Sequence, residues 1–322
     1  MTIEPTMGKP NQQVFSDTLL EIAKQNENIL VVTSDSRGSG KLVAFGQELP
    51  QQIVEVGIAE QNLIGISAGL SAGGKKVFAV SPACFVTIRS LEQVKNDVAY
   101  SDRDVCVVGI SAGVSYGLLG STHHAIHDYA ALRCINNIDI IAPADNFETE
   151  QAVRALVHHP RPAYIRLGKR PMPNLHDPES TLFEIGKAIE LRQGTDVTII
   201  AIGEPTAHAV EAADILSRQG ISCRVISMHT LRPFDKAALM DAARNSQAII
   251  TVEEHSVCGG LGELCASALL QEGIRIPFKI VGFPDEYTIN GDQPTLFKHY
   301  GISGEGLVAT ACELLETCKS QM

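Results

Sequence analysis

The chain has no tryptophan, no C-x-x-C pair, no surplus of positive charge, and no stretch near the ~20 apolar residues that a membrane-spanning helix needs. Each absence but the first excludes something. A net charge of −11 argues against nucleic acid or an anionic membrane as the main partner, though not against a small anionic substrate met by local cations. Without an apolar signal core at the N-terminus, a soluble, untargeted, cytoplasmic protein is expected. The eight cysteines (84, 106, 134, 223, 258, 265, 312 and 318) lie mostly in apolar runs. In such a chain they read as reduced thiols, neither disulfides nor metal ligands. What remains is an ordinary globular balance, 44% hydrophobic and 20% charged, in 322 residues, enough for two domains.

Strand-like and helix-like patterns alternate along the whole chain. Apolar runs at 29–34, 76–80, 104–110, 138–142 and 163–167 read as buried strands, separated by helical patterns at 11–25, 58–72, 85–101, 127–134 and 147–158. Alternation of this kind predicts a mainly parallel sheet with helices on both faces. A Pro-rich stretch then begins at Lys169, giving a linker over 169–183 between domains at 1–175 and 184–322. The second, smaller α/β domain has strands near 184–190, 196–203, 222–228, 248–254 and 277–283, and helices near 205–219, 235–245, 261–271 and 304–318. The fold class is therefore α/β, with two three-layer domains.

Residues 53–70 carry the strongest local signal: a short apolar strand, a turn at Gly57, and a helix of small and apolar residues with one carboxylate, Glu60, near its start. Leu63 and Ile64 share the face of Glu60 at i+3 and i+4. A carboxylate buried there without a cation tends to hold its proton, because desolvation penalises the charged form. The plain alternative is a first-turn acid stabilised by the helix dipole. Two further loops follow strands of the same sheet: Ser81-Pro-Ala-Cys-Phe85 and Gly120-Ser-Thr-His-His124. Loops beyond strand ends converge on one crevice in such sheets, so an acid, an aromatic ring and an imidazole meeting there suggest an active site. The small residues of the helix also suit a subunit interface, or tight packing within the domain. Gly259-Gly-Leu-Gly-Glu263 lacks a nucleotide-cradle spacing and reads as a strand-to-helix turn.

Val56-Gly-Ile-Ala-Glu60-Gln, Ser81-Pro-Ala-Cys-Phe85, Thr122-His123, Leu132-Arg-Cys-Ile, Ala142-Pro-Ala-Asp145, Ala163-Tyr-Ile-Arg166-Leu and Glu253-Glu-His-Ser-Val-Cys-Gly-Gly-Leu-Gly-Glu263 together resemble the transketolases and deoxyxylulose-phosphate synthases, almost end to end. The resemblance implies a thiamine-diphosphate pyrimidine-binding domain followed by a transketolase C-terminal domain. It implies that Glu60, with Gly57 in its motif, presents a proton to N1′ of the thiamine pyrimidine and so favours the imino form that activates the thiazolium carbon. Phe85 would stack on the pyrimidine, against the alternative of a plain core phenylalanine. His123 would contact substrate hydroxyls or assist proton transfer, with His124 and His127 as bystanders. Arg166 and Ser39 align with groups at the sugar phosphate, and Asp35 with an acid lining the cofactor cleft.

Full-length members of this family are about twice as long. Their N-terminal half holds Mg²⁺ and the diphosphate through Gly-Asp-Gly and a downstream Asn, and no Gly-Asp-Gly occurs here. The implied role is the C-terminal subunit of a split transketolase. It would share thiamine diphosphate with an N-terminal partner subunit that binds the Mg²⁺, in an α2β2 assembly, and would be inert alone. Leu118-Leu119 replaces the family's Glu-Asp before Thr-His, and Ser111 stands where a phosphate-contacting histidine is common. Loss of the polar reader at Leu119 implies a ketose phosphate with unusual substitution near C3, such as a branched sugar; apulose phosphate is one candidate. The E1 β subunit of a 2-oxoacid dehydrogenase shares this two-domain plan. A deoxyxylulose-phosphate synthase half and a non-catalytic scaffold homologue complete the alternatives.

Overall fold

The structure, a computed structural model, describes residues 6–320. Its strands are β1 (Met7–Pro10), β2 (Ile29–Thr33), β3 (Ile53–Glu55), β4 (Lys76–Pro82), β5 (Val105–Ile110), β6 (Asp139–Ile141) and β7 (Ala163–Arg166), then β8 (Pro171–Pro173), β9 (Ile189–Arg192), β10 (Val197–Ile202), β11 (Cys223–Ser227), β12 (Thr230–Arg232), β13 (Ala248–Ser256) and β14 (Phe278–Phe283). The first large sheet runs β12-β6-β7-β5-β4-β2-β3 and the second β14-β13-β10-β11-β9. Pairing is parallel except at two edges, where β12 lies antiparallel to β6 and β9 antiparallel to β11. Strands β2, β4, β5 and β10 are buried at every residue, as continuous apolar runs demand of a sheet covered on both faces.

Two apolar layers sandwich the first sheet. Phe15, Leu19, Phe45 and Phe78 fill one side. Leu63 and Ile64, from the helix Glu60–Ala72, pack with Val77 and Val107 on the other. That second layer continues through Tyr129 and Leu132 to Met228, Leu239 and Leu261 of the second half, so one core spans the junction. A separate core, with Val225, Phe283 and Leu307, lies on the far side of the second sheet.

The structure departs from the sequence expectation in several places. The helix expected over 85–101 is broken into Ala83–Val86, Leu91–Gln93 and a π-helical stretch Val94–Tyr100. At the break, Thr87 and Ser90 donate their hydroxyls back to the carbonyls of Ala83 and Val86, each at 2.6 Å, a local alternative that competes with the helix ladder. The strand expected from 184 begins only at Ile189. Strand β12 leaves the second half to extend the first sheet, a tertiary pairing that no short segment announces. The Pro-rich segment is also more than a tether. Its β8 pairs with β1, and His176 lies buried 3.0 Å from Asp145 and 3.2 Å from Glu148. Burial opposes a charge on His176, but the two carboxylates outweigh it and raise its pKa to about 10. No helix among the described residues is long and apolar enough to cross a membrane.

Candidate functional site

Strands β2, β3, β4 and β5 are mutually parallel, so the segments that leave them, 34–40, 56–59, 83–90 and 111–124, gather on one edge of the first sheet. Gly57 supplies the turn between β3 and the following helix at φ +73°, a conformation that side-chain-bearing residues rarely adopt. The turn places Glu60 as the first helical residue, 2% exposed above the fully buried Leu63 and Ile64. The apolar wall is as expected; the absence of a cation is not. Arg89 Nη1 donates to Glu60 Oε2 at 2.6 Å, and the other carboxylate oxygen has no hydrogen-bond partner among the described residues. Arg89 reaches Glu60 from the turn created by the helix break, which explains why a continuous helix over 85–101 hid the pair. The guanidinium also lies over the Phe85 ring, 4.6 Å from its centroid.

Phe85 is half-buried, with one edge contact to His123 at 5.4 Å between ring centroids. His123 meets Tyr116 at 5.6 Å on another side, and Thr122 Oγ1 lies 3.0 Å from its Nδ1. Tyr116 in turn carries the ammonium of Lys169 over its ring at 5.1 Å. Glu60, Arg89, Phe85, His123, Tyr116 and Lys169 therefore form one continuous chain of contacts. Arg89, Tyr116 and Lys169 were not singled out from sequence. The spacing Phe85–Arg89 at i+4 was a usable sign for the first, whereas nothing local marked Tyr116.

The other candidates sit around this chain. Ser111, buried at the end of β5 with φ +50°, bonds Gln12 at 3.4 Å and the Tyr116 hydroxyl. It supports Tyr116 from beneath and offers little surface to a substrate. Asp35 is exposed at φ +54°, and its amide and that of Gly57 both donate to Glu55 Oε1, at 2.6 and 3.1 Å. Ser39 is exposed in the same loop and donates to the Ser36 carbonyl at 3.2 Å. Leu118 and Leu119 are 77% and 54% exposed on a 3₁₀ turn, and Ile58 is 76% exposed beside Gly57. His124 is buried and ties this loop to the second half, with Nε2 at 2.9 Å from the Gly117 carbonyl and Nδ1 at 2.9 Å from Thr288.

Arg166, expected at a sugar phosphate, has its guanidinium taken up by the chain's own groups. Its side chain is 4% exposed, with Nε donating to Asp128 at 2.9 Å, Nη2 to the carbonyl of Glu254 at 2.7 Å, and Nη1 lying 3.5 Å from the Glu254 carboxylate. Tyr129 packs under the guanidinium at 4.8 Å. The sequence offered a strand-end arginine but could not show that two acids, 38 positions before it and 88 after it, claim its charge. Around it lies a buried acidic junction. Gln293 Nε2 donates to Glu204 at 2.9 Å and Glu254 at 2.7 Å. Burial, then the charge of Glu254, raises the Glu204 pKa to about 8. The exposed cations next along the chain, Lys169 and Arg170, are the ones open to an anion.

A flat aromatic ligand that needs one face and one carboxylate finds both here: a planar guanidinium of the chain itself already lies against Phe85 and Glu60. A ring face and a carboxylate thus stand side by side. A cation-held diphosphate is another matter. Among the described residues no group of three or more His, Cys, Asp or Glu could hold a metal ion. The helix N-terminus after Gly259-Gly260 is no phosphate cradle either, because Glu253 already accepts from the amides of Leu261 and Gly262 at 2.7 and 2.8 Å.

Residues 9–174 match the family "Transketolase, pyrimidine binding domain" and residues 186–307 "Transketolase, C-terminal domain". The chain is 47% identical over 302 residues to a subunit of the apulose-4-phosphate transketolase of Phocaeicola vulgatus, covering 94% of this chain and 96% of that one. It is 35% identical to a 6-deoxy-6-sulfo-D-fructose transketolase subunit of a Clostridium species, covering 95% and 94%. Among solved structures it resembles a split-gene transketolase described as an inactive β4 tetramer, with a TM-score of 0.86 and 36% identity over 96% of this chain and 99% of that one.

Proposed function

The chain belongs to the transketolase family, and from that premise we propose that it is the pyrimidine-side subunit of a two-chain transketolase that moves a ketol unit between a ketose phosphate and an aldose phosphate. One observation carries the reading: a buried acid at a helix start stands on the same sheet edge as a half-buried Phe85 and the His123 packed against it. Thiamine diphosphate, when bound, supplies the activated carbon to which the ketol unit attaches.

This chain's residues then have distinct tasks. Phe85 presents a ring face to the pyrimidine. Glu60 holds a proton at the pyrimidine N1′, as general acid–base catalysis requires of a positioned carboxyl. His123, fixed between the Phe85 and Tyr116 rings, faces the substrate's hydroxyls, with Thr122 setting the orientation of its imidazole. Lys169 offers the charge for the sugar phosphate. Asp35 and Ser39 leave the same edge from β2, between the strands that lead to Glu60 and Phe85, and would line the cofactor cleft and the sugar phosphate. Mg²⁺ and the diphosphate fall to an N-terminal partner subunit in an α2β2 assembly. The exposed Ile58, Leu118 and Leu119 around the site suit such a covering chain, and the inactive β4 tetramer formed by a relative fits a subunit that needs a second kind of chain.

The substrate is a ketose phosphate of unusual substitution near C3, with apulose 4-phosphate first among candidates because of the Phocaeicola relative. Leu119 presents an exposed isobutyl group where a hydroxyl would otherwise be read. With the assembled complex and a panel of ketose phosphates, Leu119→Asp is expected to shift preference toward unbranched ketoses by about 10-fold or more in kcat/KM. An unchanged ranking would remove Leu119 from specificity.

A further inference from the structure

Arg89 meets both features that the half-site offers a pyrimidine, and it meets them together. Its guanidinium is flat, lies 4.6 Å over the Phe85 ring, and donates an N–H to Glu60 at 2.6 Å. A 4-aminopyrimidine is also flat and also carries hydrogen-bonding nitrogens at its edge, so the two groups ask for the same surface. Resting on the thiamine reading of Glu60 and Phe85, we propose that Arg89 is a placeholder. It occupies the pyrimidine half-site of the subunit before assembly and must leave both residues for the cofactor to dock.

Three observations support a side chain that moves rather than one that stays. Glu60 is 2% exposed and Arg89 47%, so the carboxylate is the fixed member of the pair and the guanidinium the one with open space beside it. Arg89 makes a single side-chain hydrogen bond among the described residues, that to Glu60, and its Nε and Nη2 are uncommitted. It also sits in the turn between two short helices, where the hydroxyls of Thr87 and Ser90 have already broken the helix ladder.

Chemistry argues the same way. An ion pair needs Glu60 as a carboxylate, whereas delivering a proton to N1′ needs it first as a carboxylic acid, with the proton taken from solvent as the guanidinium leaves. Glu60 cannot serve Arg89 and the pyrimidine in these two ways at once. A placeholder resolves the conflict: the buried carboxylate is paired while the subunit is alone, and the pair dissolves when the ring arrives. The gain is protection of the free subunit; the cost is competition with the cofactor.

The test measures binding, not turnover. Thiamine diphosphate with Mg²⁺ is titrated calorimetrically into the complex with its partner subunit. Arg89→Leu is expected to tighten binding by threefold or more, and Arg89→Lys, which keeps the charge without the planar fork, to fall between it and the wild type. In the subunit alone, Arg89→Leu is expected to lower the melting temperature, and this loss is expected to fall by half or more in a Glu60→Gln background, where only a neutral hydrogen bond remains to be lost. Weaker or unchanged binding by Arg89→Leu would overturn the placeholder, and so would a melting loss that is as large with Glu60→Gln. A wild-type complex that binds no thiamine diphosphate would instead overturn the cofactor reading on which the placeholder rests.

Discussion

Glu60→Gln in the assembled complex is expected to lower kcat for ketol transfer by about 10²–10⁴-fold, the range that a positioned acid–base group contributes. Glutamine keeps the shape of the side chain and can still accept from Arg89, so folding and assembly should survive. What it loses is the ability to gain and release a proton on the oxygen that faces the ring. Because Phe85 still supplies its face, the affinity for thiamine diphosphate should change far less than kcat. Steady-state kinetics beside calorimetry on the same preparation separates the two. A variant as active as the wild type would favour a scaffold homologue, in which Glu60 is only the first-turn acid that a helix dipole stabilises.

The second large effect separates two arginine readings. Arg166→Leu is expected to destabilise the chain by about 3–5 kcal/mol, because Asp128 and Glu254 would be left buried without their cation. Both acids are almost fully buried, and Asp128 Oδ1 already has no hydrogen-bond partner. The loss should appear as a lower denaturation midpoint before any substrate is added. Lys169→Ala is expected to do the reverse: leave the midpoint in place and raise KM for phosphorylated ketoses on the order of 10-fold. An Arg166→Leu protein of normal stability with a raised KM would instead support the sugar-phosphate role that the sequence suggested for Arg166.

The contrast between these residues shows what was legible in advance. Continuous apolar strands and a helix with small residues after Gly57 are local patterns, and the first sheet, the turn and Glu60 follow from them. Phe85 and His123 come together because their segments leave neighbouring strands of one sheet, a rule of topology rather than of distance along the chain. The environment of a charge is another matter. Arg89 sits 29 positions from Glu60, and Glu254 sits 88 from Arg166, so neither pairing is written in a local pattern. The same limit hid β12, whose three residues pair across the junction. Burial of the charge was readable at Glu60, but what neutralises it was not.

The choice among family activities turns on the same residues. A 2-oxoacid dehydrogenase E1 β subunit would share the sheet, Glu60 and the need for a partner. With Arg166 committed to the domain junction, the case for a sugar phosphate rests on Lys169, His123 and the transketolase relatives. A half of a deoxyxylulose-phosphate synthase would differ in its donor, which the ketose-phosphate panel resolves.

The central claim is that this chain holds one half of a divided cofactor site. Calorimetric titration of thiamine diphosphate and Mg²⁺ into this subunit, its N-terminal partner, and the two mixed tests it most directly. The account predicts tight binding only in the mixture, with one cofactor for each pair of unlike chains. Equally tight binding by this subunit alone, or none by the mixture, would contradict it.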